Sequence, residues 1–377
     1  VLFRSLKARV LLYAASPLFN GNADYAKFAN EDGTLLFAPK DDSKWGKAAA
    51  AAKEAIDKIE GSSYYGLYYS DEPDNGYRNY MELFLPSKKW NKEYIFARNQ
   101  GTGYSDNIHQ EKCMAANGMG GWSGLCPTQE LVDAYEMANG STPIIGYNAD
   151  GTPIINGASG YSETGFAATA GKHYPAGVYN MYVGREPRFY ASINFNGQQW
   201  RGRQLEFWQG GKDGINVSKV DYCCTGYLLR KTADEGVDVI NGKGGMKEAS
   251  ILFRVGSLYL DYAEALNEAE GPVDDVYKYV DAIRKRAGLP GLAKGLDKDK
   301  MRERIQHERQ IELAFEAGHR YFDCHRWKIA EKTDNGYMHG MNITATNKVD
   351  YSKRSTVGDS RVFEKKHYLF PIPQSEM

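Results

Sequence analysis

QHERQIELAFEAGHRYFDCHRW, residues 306–327, places three histidines, one cysteine, three arginines and four carboxylates within twenty-two residues. Such a density of ligand-type and acid–base side chains would suit a metal or catalytic centre. The same residues could instead form ion pairs that hold helices together. Their spacing decides between the two, because helix geometry fixes which side chains share a face.

The histidines of this stretch do not have the spacing of a metal site. A helical zinc motif needs two histidines four residues apart, and Ile311 stands four residues after His307. His319 and His325 are six residues apart, so they point about 240° around a helix. The sequence therefore predicts no metal ion and no cofactor.

The charged residues have the spacing of an ion-pair network. Glu308, Glu312 and Glu316 follow one another at four-residue intervals, which places them on one helical face. We predict that this face forms a charge ladder and that the network clamps two helices. The predicted members are Arg304, Glu308, Arg309, Glu312, Glu316, Arg320, Asp323 and Arg326.

The overall composition argues against a nucleic-acid-binding protein. The chain has 377 residues, 47 of them Lys or Arg and 48 Asp or Glu, so it lacks a basic excess. Its 27 tyrosines, 15 phenylalanines and 6 tryptophans are an unusually rich aromatic set. Tyrosine-rich surfaces combine an apolar face with a hydrogen-bonding rim, which favours ligand or partner binding.

The five cysteines predict neither a zinc site nor a disulfide framework. None forms a CxxC pair, and Cys223 and Cys224 could bridge each other only with strain. A bridge between Cys113 and Cys126 stays open, and Cys324 is expected to be a buried free thiol. No apolar run is long enough for a membrane span. Because the sequence begins inside a predicted helix, we expect a preceding segment, with any targeting signal, to be missing.

Helical periodicity concentrates near the two ends of the chain, with a long aperiodic region between them. Helices are predicted at 2–15, 43–61, 128–140, 249–271, 273–289, 298–317 and 319–331, and strands at 92–100 and 188–196. We predict a mainly α fold: a tetratricopeptide-like helical repeat scaffold with a large irregular subdomain of loops and short strands inserted. The predicted parts are 1–61 (helical), 62–248 (irregular, ligand-binding), 249–331 (helical) and 332–377 (extended).

Several separated motifs resemble the SusD/RagB family, and together they span essentially the whole chain. They are LKARVLLYAASPLFNG (6–21), the alanine-rich helix after Trp45, REPRFYASI (185–193), TGYLLRKT (225–232), FRVGSLYLDYAEALNE (253–268), RKRAGLPGL (284–292), ERQIELAFEAGHRYFDCHRW (308–327) and LFPIPQSEM (369–377). The resemblance implies a cell-surface lipoprotein of the outer membrane. Such a protein binds glycans, sometimes peptides, and acts as a lid on a partner TonB-dependent transporter of the SusC type. The family's signal peptide and lipidated cysteine have no counterpart here, so none of the five cysteines is interpreted as the anchor.

Two loops, 99–124 and 194–214, carry the aromatic side chains that we expect to meet a ligand. An aromatic ring can cover the C–H face of a sugar while polar neighbours bind its hydroxyls. The predicted ligand-binding residues are Trp122, Trp208, Trp200, Tyr104, Arg201, Asp106 and Tyr222. Of these, Trp200 and Tyr222 are the weaker candidates, since Trp200 follows a predicted strand and could cap it. Trp45, Trp90 and Trp327 are predicted to fill the core.

Catalytic motifs are missing from the sequence. Glycoside hydrolysis needs two carboxylates about 5–10 Å apart across a cleft. Asp106, Glu111 and Asp213 lie in suitable loops, but no motif pairs them, and no GxSxG elbow occurs. We therefore predict a binding protein and not an enzyme. The alternatives left open are peptide capture, a helical glycoside hydrolase and a helical adaptor for another protein.

Overall fold

Helices and short strand pairs make up the chain. The structure, a computed structural model, describes residues 1–85, 91–99, 104–243, 249–371 and 373–376. Its helices are α1 (Leu2–Ala15), α2 (Ser43–Glu60), α3 (Gly76–Phe84), α4 (Tyr104–Met114), α5 (Gln129–Ala134), α6 (Pro187–Ser192), α7 (Val255–Glu270), α8 (Asp274–Arg286), α9 (Lys298–Glu312), α10 (His319–Arg326), α11 (Ala330–Thr333) and α12 (Lys348–Tyr351). The predicted mainly α fold class is confirmed.

The strands of the described residues form five separate antiparallel pairs and no larger sheet. They are β1 (Tyr94–Asn99), β2 (Ile144–Tyr147), β3 (Pro153–Ile155), β4 (Ile193–Phe195), β5 (Gln199–Trp200), β6 (Arg203–Gln204), β7 (Tyr227–Leu229), β8 (Ala249–Arg254), β9 (Gly336–Met341) and β10 (Arg354–Arg361). The pairs are β1–β8, β2–β3, β4–β7, β5–β6 and β9–β10.

The helical half of the molecule combines both helical regions of the sequence. One hydrophobic core contains residues of α1, α2 and α7–α9. Every residue of α7 from Val255 to Asn267 is buried, which is typical of a helix packed on all sides. The buried alanines of α2, among them Ala52 and Ala55, lack bulk and so allow neighbouring helices to approach closely.

A second core forms the irregular half, with β4 and β7 paired inside it. Ile193 lies opposite Leu229 and Phe195 opposite Tyr227, all four buried. Met341 and Tyr351, from the predicted extended segment 332–377, belong to this core too. The boundaries of the four predicted parts stay predictions. All five cysteines are free, and the Sγ atoms of Cys126 and Cys223 lie 3.8 Å apart.

Several predicted elements differ from the structure. The expected strand 188–196 begins as helix α6, because Pro187 at its first position favours a helical start, and only β4 is extended. The expected helix 249–271 begins as strand β8, which pairs with β1. The expected helix 128–140 ends at Ala134, and the chain then turns through Gly140 in the left-handed region at φ +81°.

A buried ion network at the C-terminal end of α9 joins the two halves. The Glu312 carboxylate lies 2.9 Å from Arg254 and 3.0 Å from Arg188 and also pairs with Arg286, while Glu316 lies 2.7 Å from Lys231 and from Arg254. Arg188 and Lys231 come from the irregular half, and Arg254 from the helical half. Burial opposes ionisation of Glu312 and Glu316, but the surrounding cations prevail and lower the pKa of each to about 2.

The predicted ladder along one helix is wrong in its pairings. Seven of the eight predicted residues form ion pairs, but their partners come mostly from other elements. Arg304 pairs with Glu136, and Arg309 reaches Asp261 at 2.7 Å. Arg320, half-buried, forms no ion pair with the described residues. Because the charged face of α9 is buried against other elements, its partners lie across the interface and not along the helix.

No helix in the described ranges is both long and apolar enough to cross a membrane.

Candidate ligand-binding groove

Trp200 lies inside the core of the irregular half. Only 2% of this residue is exposed. The guanidinium groups of Arg201 and Arg230 lie over its ring, 5.5 and 4.7 Å from the centroid. The prediction that Trp200 stacks on a ligand is wrong, because the β5–β6 pair turns its ring inward.

Trp122 and Trp208 are half-buried, and their rings contact different residues. The centroid of the Trp122 ring lies 5.4 Å from that of His109 and 5.0 Å from the Lys112 ammonium. The ring of Trp208 has the Lys348 ammonium 5.1 Å from its centroid. Both residues keep partly open surfaces, so their role in ligand binding stays a prediction.

Of the remaining predicted residues, Arg201 is held by protein groups. The Arg201 guanidinium is tied to the Glu111 carboxylate at 2.7 Å and to the carbonyl of Asp234 at 2.8 Å, which indicates a role in holding loops. Tyr222 is half-buried. The side chains of Tyr104 and Asp106 lie outside the described residues, as does Trp90. Trp327 fills the helical half as expected, and its Nε1 donates to Glu264 at 2.7 Å.

A different set of aromatic and polar side chains lines one open groove. Two cavities of about 310 and 380 Å³ adjoin there and share Tyr77, Lys172, His173 and Tyr174. We call this surface the aromatic groove; its lining also includes Gln198, Gln199, Arg230 and Tyr190. It combines ring faces with amide, guanidinium and ammonium donors, which suits a polar ligand that also has apolar faces.

Helix α3 holds Tyr77 in the wall of the aromatic groove. The helix begins at Gly76, whose backbone packs so closely on α8 that a Cβ there would lie 2.2 Å from the carbonyl oxygen of Ala287. Asn79 of the same helix donates to the carbonyl of Arg286 at 3.1 Å. Both contacts fix the start of α3 against the helical half.

The loop around 171–175 supplies a second part of the groove lining. The Gly171 amide donates to the carbonyl of Tyr174 at 2.9 Å, which closes a tight turn. The Tyr174 ring covers Gly171 so closely that a Cβ would lie 2.4 Å from it. The loop therefore sets the position of the Tyr174 ring and of His173 beside it.

The rings of the groove form a continuous array. His173 lies between Tyr77 and Tyr190, with ring centroids 4.7 and 5.2 Å away, and Tyr174 stacks on Tyr190 at 6.1 Å. Burial, together with the charges of Lys172 and Arg230, lowers the pKa of His173 to about 4. At neutral pH the imidazole is uncharged, so the array offers neutral ring surfaces.

Polar atoms beside this array have unused hydrogen-bonding capacity. Arg230 is 6% exposed; its Nη2 donates to the Tyr77 hydroxyl at 2.6 Å, but its Nε has no hydrogen-bond partner among the described residues. The Oε1 of Gln198, a residue that is 4% exposed, has none either. A buried polar atom without a partner costs free energy, so a ligand or water that pairs with it is favoured.

Sequence reasoning missed this groove because its members are scattered. Tyr77, the loop at 171–175, Gln198 and Arg230 are spread over more than 150 positions, and no local motif links them. Arg230 lies in the motif TGYLLRKT, which contributes to the family resemblance but gives Arg230 no ligand-binding role. Among the described residues, no group of three His, Cys, Asp or Glu side chains is arranged to hold a metal ion.

Comparisons with known proteins place the chain in a family. The model of the SusD family matches residues 85–377. Two curated relatives from Formosa agariphila are SusD-like protein P25, 42% identical over 82 residues, and SusD-like protein P2, 34% identical over 147 residues. The matched stretches cover 21% and 36% of this chain and only 15% and 25% of the relatives' own lengths.

A solved structure has the same fold. Selenomethionine BT4246 superposes with a TM-score of 0.80 at 26% identity, and the match covers 99% of this chain and 70% of that one. The family model thus matches most of the chain, and the fold of this relative extends over nearly all of it. The chain belongs to the SusD family.

Proposed function

We propose that this protein is a glycan-binding protein that captures an oligosaccharide in the aromatic groove. One observation carries the proposal: a ring array that includes Tyr77, His173 and Tyr174 lies beside buried polar atoms of Gln198 and Arg230 that have no partner. Sugars have apolar C–H faces and a rim of hydroxyls, so they match both parts of this surface. The family resemblance supports a glycan as the ligand.

The groove suits moderate affinity. Covering one aromatic ring with a sugar contributes roughly 1.5–3 kcal/mol by area burial. Two or three such contacts give about −4 to −8 kcal/mol, which corresponds to dissociation constants from about millimolar to micromolar. Such a ligand can be released again, as delivery to a second protein requires.

Delivery and location are the second part of the proposal. SusD family proteins are associated with the outer membrane. We infer that the protein is lipid-anchored and exposed at the cell surface, and that it passes its ligand to a TonB-dependent transporter of the SusC type. Binding without chemistry on the ligand is enough for this role.

Replacing a groove tyrosine tests the binding site. The variant Tyr174→Ala removes one wall of the groove, and Tyr64→Ala makes the same change at a residue that is 80% exposed elsewhere. We expect Tyr174→Ala to weaken binding about 10- to 100-fold and Tyr64→Ala to leave it unchanged. The measurement is titration calorimetry with the oligosaccharide that binds most strongly on a glycan array.

Three other results would contradict the proposal. Equal binding by both variants would show that the aromatic groove is not the binding site, and it would favour the loops of Trp122 and Trp208. Release of reducing sugars from the oligosaccharide by the purified protein would indicate a glycoside hydrolase. Binding of peptides but of no glycan would identify a peptide-capturing member of the family.

A further inference from the structure

Arg230 is a buried cation that lacks a counter-ion. It is 6% exposed, lines the aromatic groove, and forms no ion pair with any described carboxylate. Only its Nη2 donates a hydrogen bond, to the Tyr77 hydroxyl, and the guanidinium packs against Trp200. Burial lowers the pKa of Arg230. Arg254 is buried too, but the carboxylates paired with Arg254 raise its pKa. A buried charge normally persists only when it is paired.

Other buried arginines of the described chain pair with carboxylates or with several backbone carbonyls, although the Nε atoms of Arg185 and Arg286 also have no partner among the described residues. Arg254, Arg309 and Arg326 each contact two or more carboxylates. Arg185 has no carboxylate, but it donates to the carbonyls of Met181, Val132 and Tyr135. Arg230 has neither kind of partner set, so most of its donor capacity remains available to a ligand in the groove.

The surroundings of Arg230 are positively charged. The cavity that it lines also contains Lys172, an exposed residue without an ion pair to the described residues, and the described lining of this cavity includes no carboxylate. The carboxylates around this cavity are Glu235, which is exposed and acts on Arg230 through space, Asp74 in the adjoining cavity, and Glu72, which interacts with Lys172 through space. Two cations therefore face the same space as the ring array.

We propose that the aromatic groove selects a glycan that carries an oxyanion, either a uronate carboxylate or a sulfate ester, paired with Arg230 and Lys172. This inference rests on the proposed function and narrows it to acidic glycans. The planar guanidinium can donate two parallel hydrogen bonds to such a group, and Lys172 adds a compact charge at the rim. The rings hold the sugar that bears the group.

The test compares three size-matched probes: a neutral oligoglucan, an oligogalacturonate and a sulfated galactan oligomer. Titration calorimetry is performed with the wild type and with Arg230→Gln, Lys172→Gln and the control Lys212→Gln, an exposed lysine elsewhere. We expect an acidic probe to bind at least 10-fold more tightly than the neutral one. Arg230→Gln weakens this binding about 10- to 100-fold and Lys172→Gln several-fold, while Lys212→Gln has no effect. The stronger of the two acidic probes identifies the oxyanion.

The outcomes separate this inference from the proposed function. If the neutral probe binds as tightly as both acidic probes, the inference is overturned and glycan binding stands. If no probe and no array glycan binds, the proposed function itself fails. Because Arg230 also donates a hydrogen bond to Tyr77, thermal melting checks that Arg230→Gln folds. If this variant does not fold, the binding of Lys172→Gln decides the test. An acidic preference that both variants retain also overturns the inference.

Discussion

At the scale of single residues, Glu312 links the two halves of the molecule. Its carboxylate is fully buried and meets guanidinium groups from both halves. A buried ion pair adds little net stability over an apolar pair, but removing one partner leaves the others uncompensated. The network therefore specifies how the halves fit together more than it adds to their stability.

Neutralising Glu312 should destabilise the fold strongly. We expect Glu312→Gln to lower the free energy of unfolding by about 3–5 kcal/mol, because Arg188, Arg254 and Arg286 lose their shared counter-ion. The matched control is Glu303→Gln on the exposed side of the same helix, expected to change stability by less than about 0.5 kcal/mol. Denaturant titration measures both, and equal stability of the two variants would refute the central role of Glu312.

The same carboxylates predict how stability depends on pH. The pKa of Glu312 and of Glu316 is about 2 in the folded protein, against an ordinary value of 4.5. The unfolded chain therefore takes up protons first as the pH falls. Their contribution to stability is complete above about pH 4.5 and is lost as the pH falls towards 2. Denaturant titrations between pH 7 and pH 3 should show this decline, with a shallower slope in Glu312→Gln; identical slopes would contradict it.

At the scale of elements, the position of α3 links the scaffold to the groove. Gly76 allows the start of α3 to touch the end of α8, and Tyr77 follows directly.

Strongly periodic helices such as α2 and α8 were predicted to within a few residues, because one apolar face determines them. The β8 segment was misassigned because a short apolar run fits a strand and a buried helix equally well. The loop at 171–175 has no period at all, so its wall of the groove could not be predicted.

A methyl group at Gly76 should disturb both stability and binding. In Gly76→Ala the added Cβ would lie 2.2 Å from the Ala287 carbonyl oxygen, so α3 must shift and Tyr77 with it. We expect a loss of about 1–3 kcal/mol in unfolding free energy and weaker glycan binding.

The matched control for this variant is Gly46→Ala inside α2, where nothing lies within 4 Å of the added Cβ. It should stabilise the protein by about 0.5–1 kcal/mol and leave binding unchanged. If Gly76→Ala bound glycan like Gly46→Ala, α3 would not position the site.

At the scale of the whole molecule, the helical half acts as a scaffold and the irregular half carries the groove. The family and the fold class could be predicted from the sequence because their motifs are local and repeated along the chain. The site could not, because Tyr77, Tyr174 and Arg230 are distant in the sequence and only the tertiary fold brings them together. The polar, glycine-rich loops around Trp122, Trp200 and Trp208 favour exposed rings. In the structure, however, Trp200 lies in the core of the irregular half.

A crystal structure of the protein with its tightest-binding oligosaccharide tests the central claim most directly. We expect sugar rings against Tyr77 and Tyr174, with an acidic group beside Arg230 and Lys172. An oligosaccharide bound at Trp122 or Trp208, with the aromatic groove empty, would contradict it.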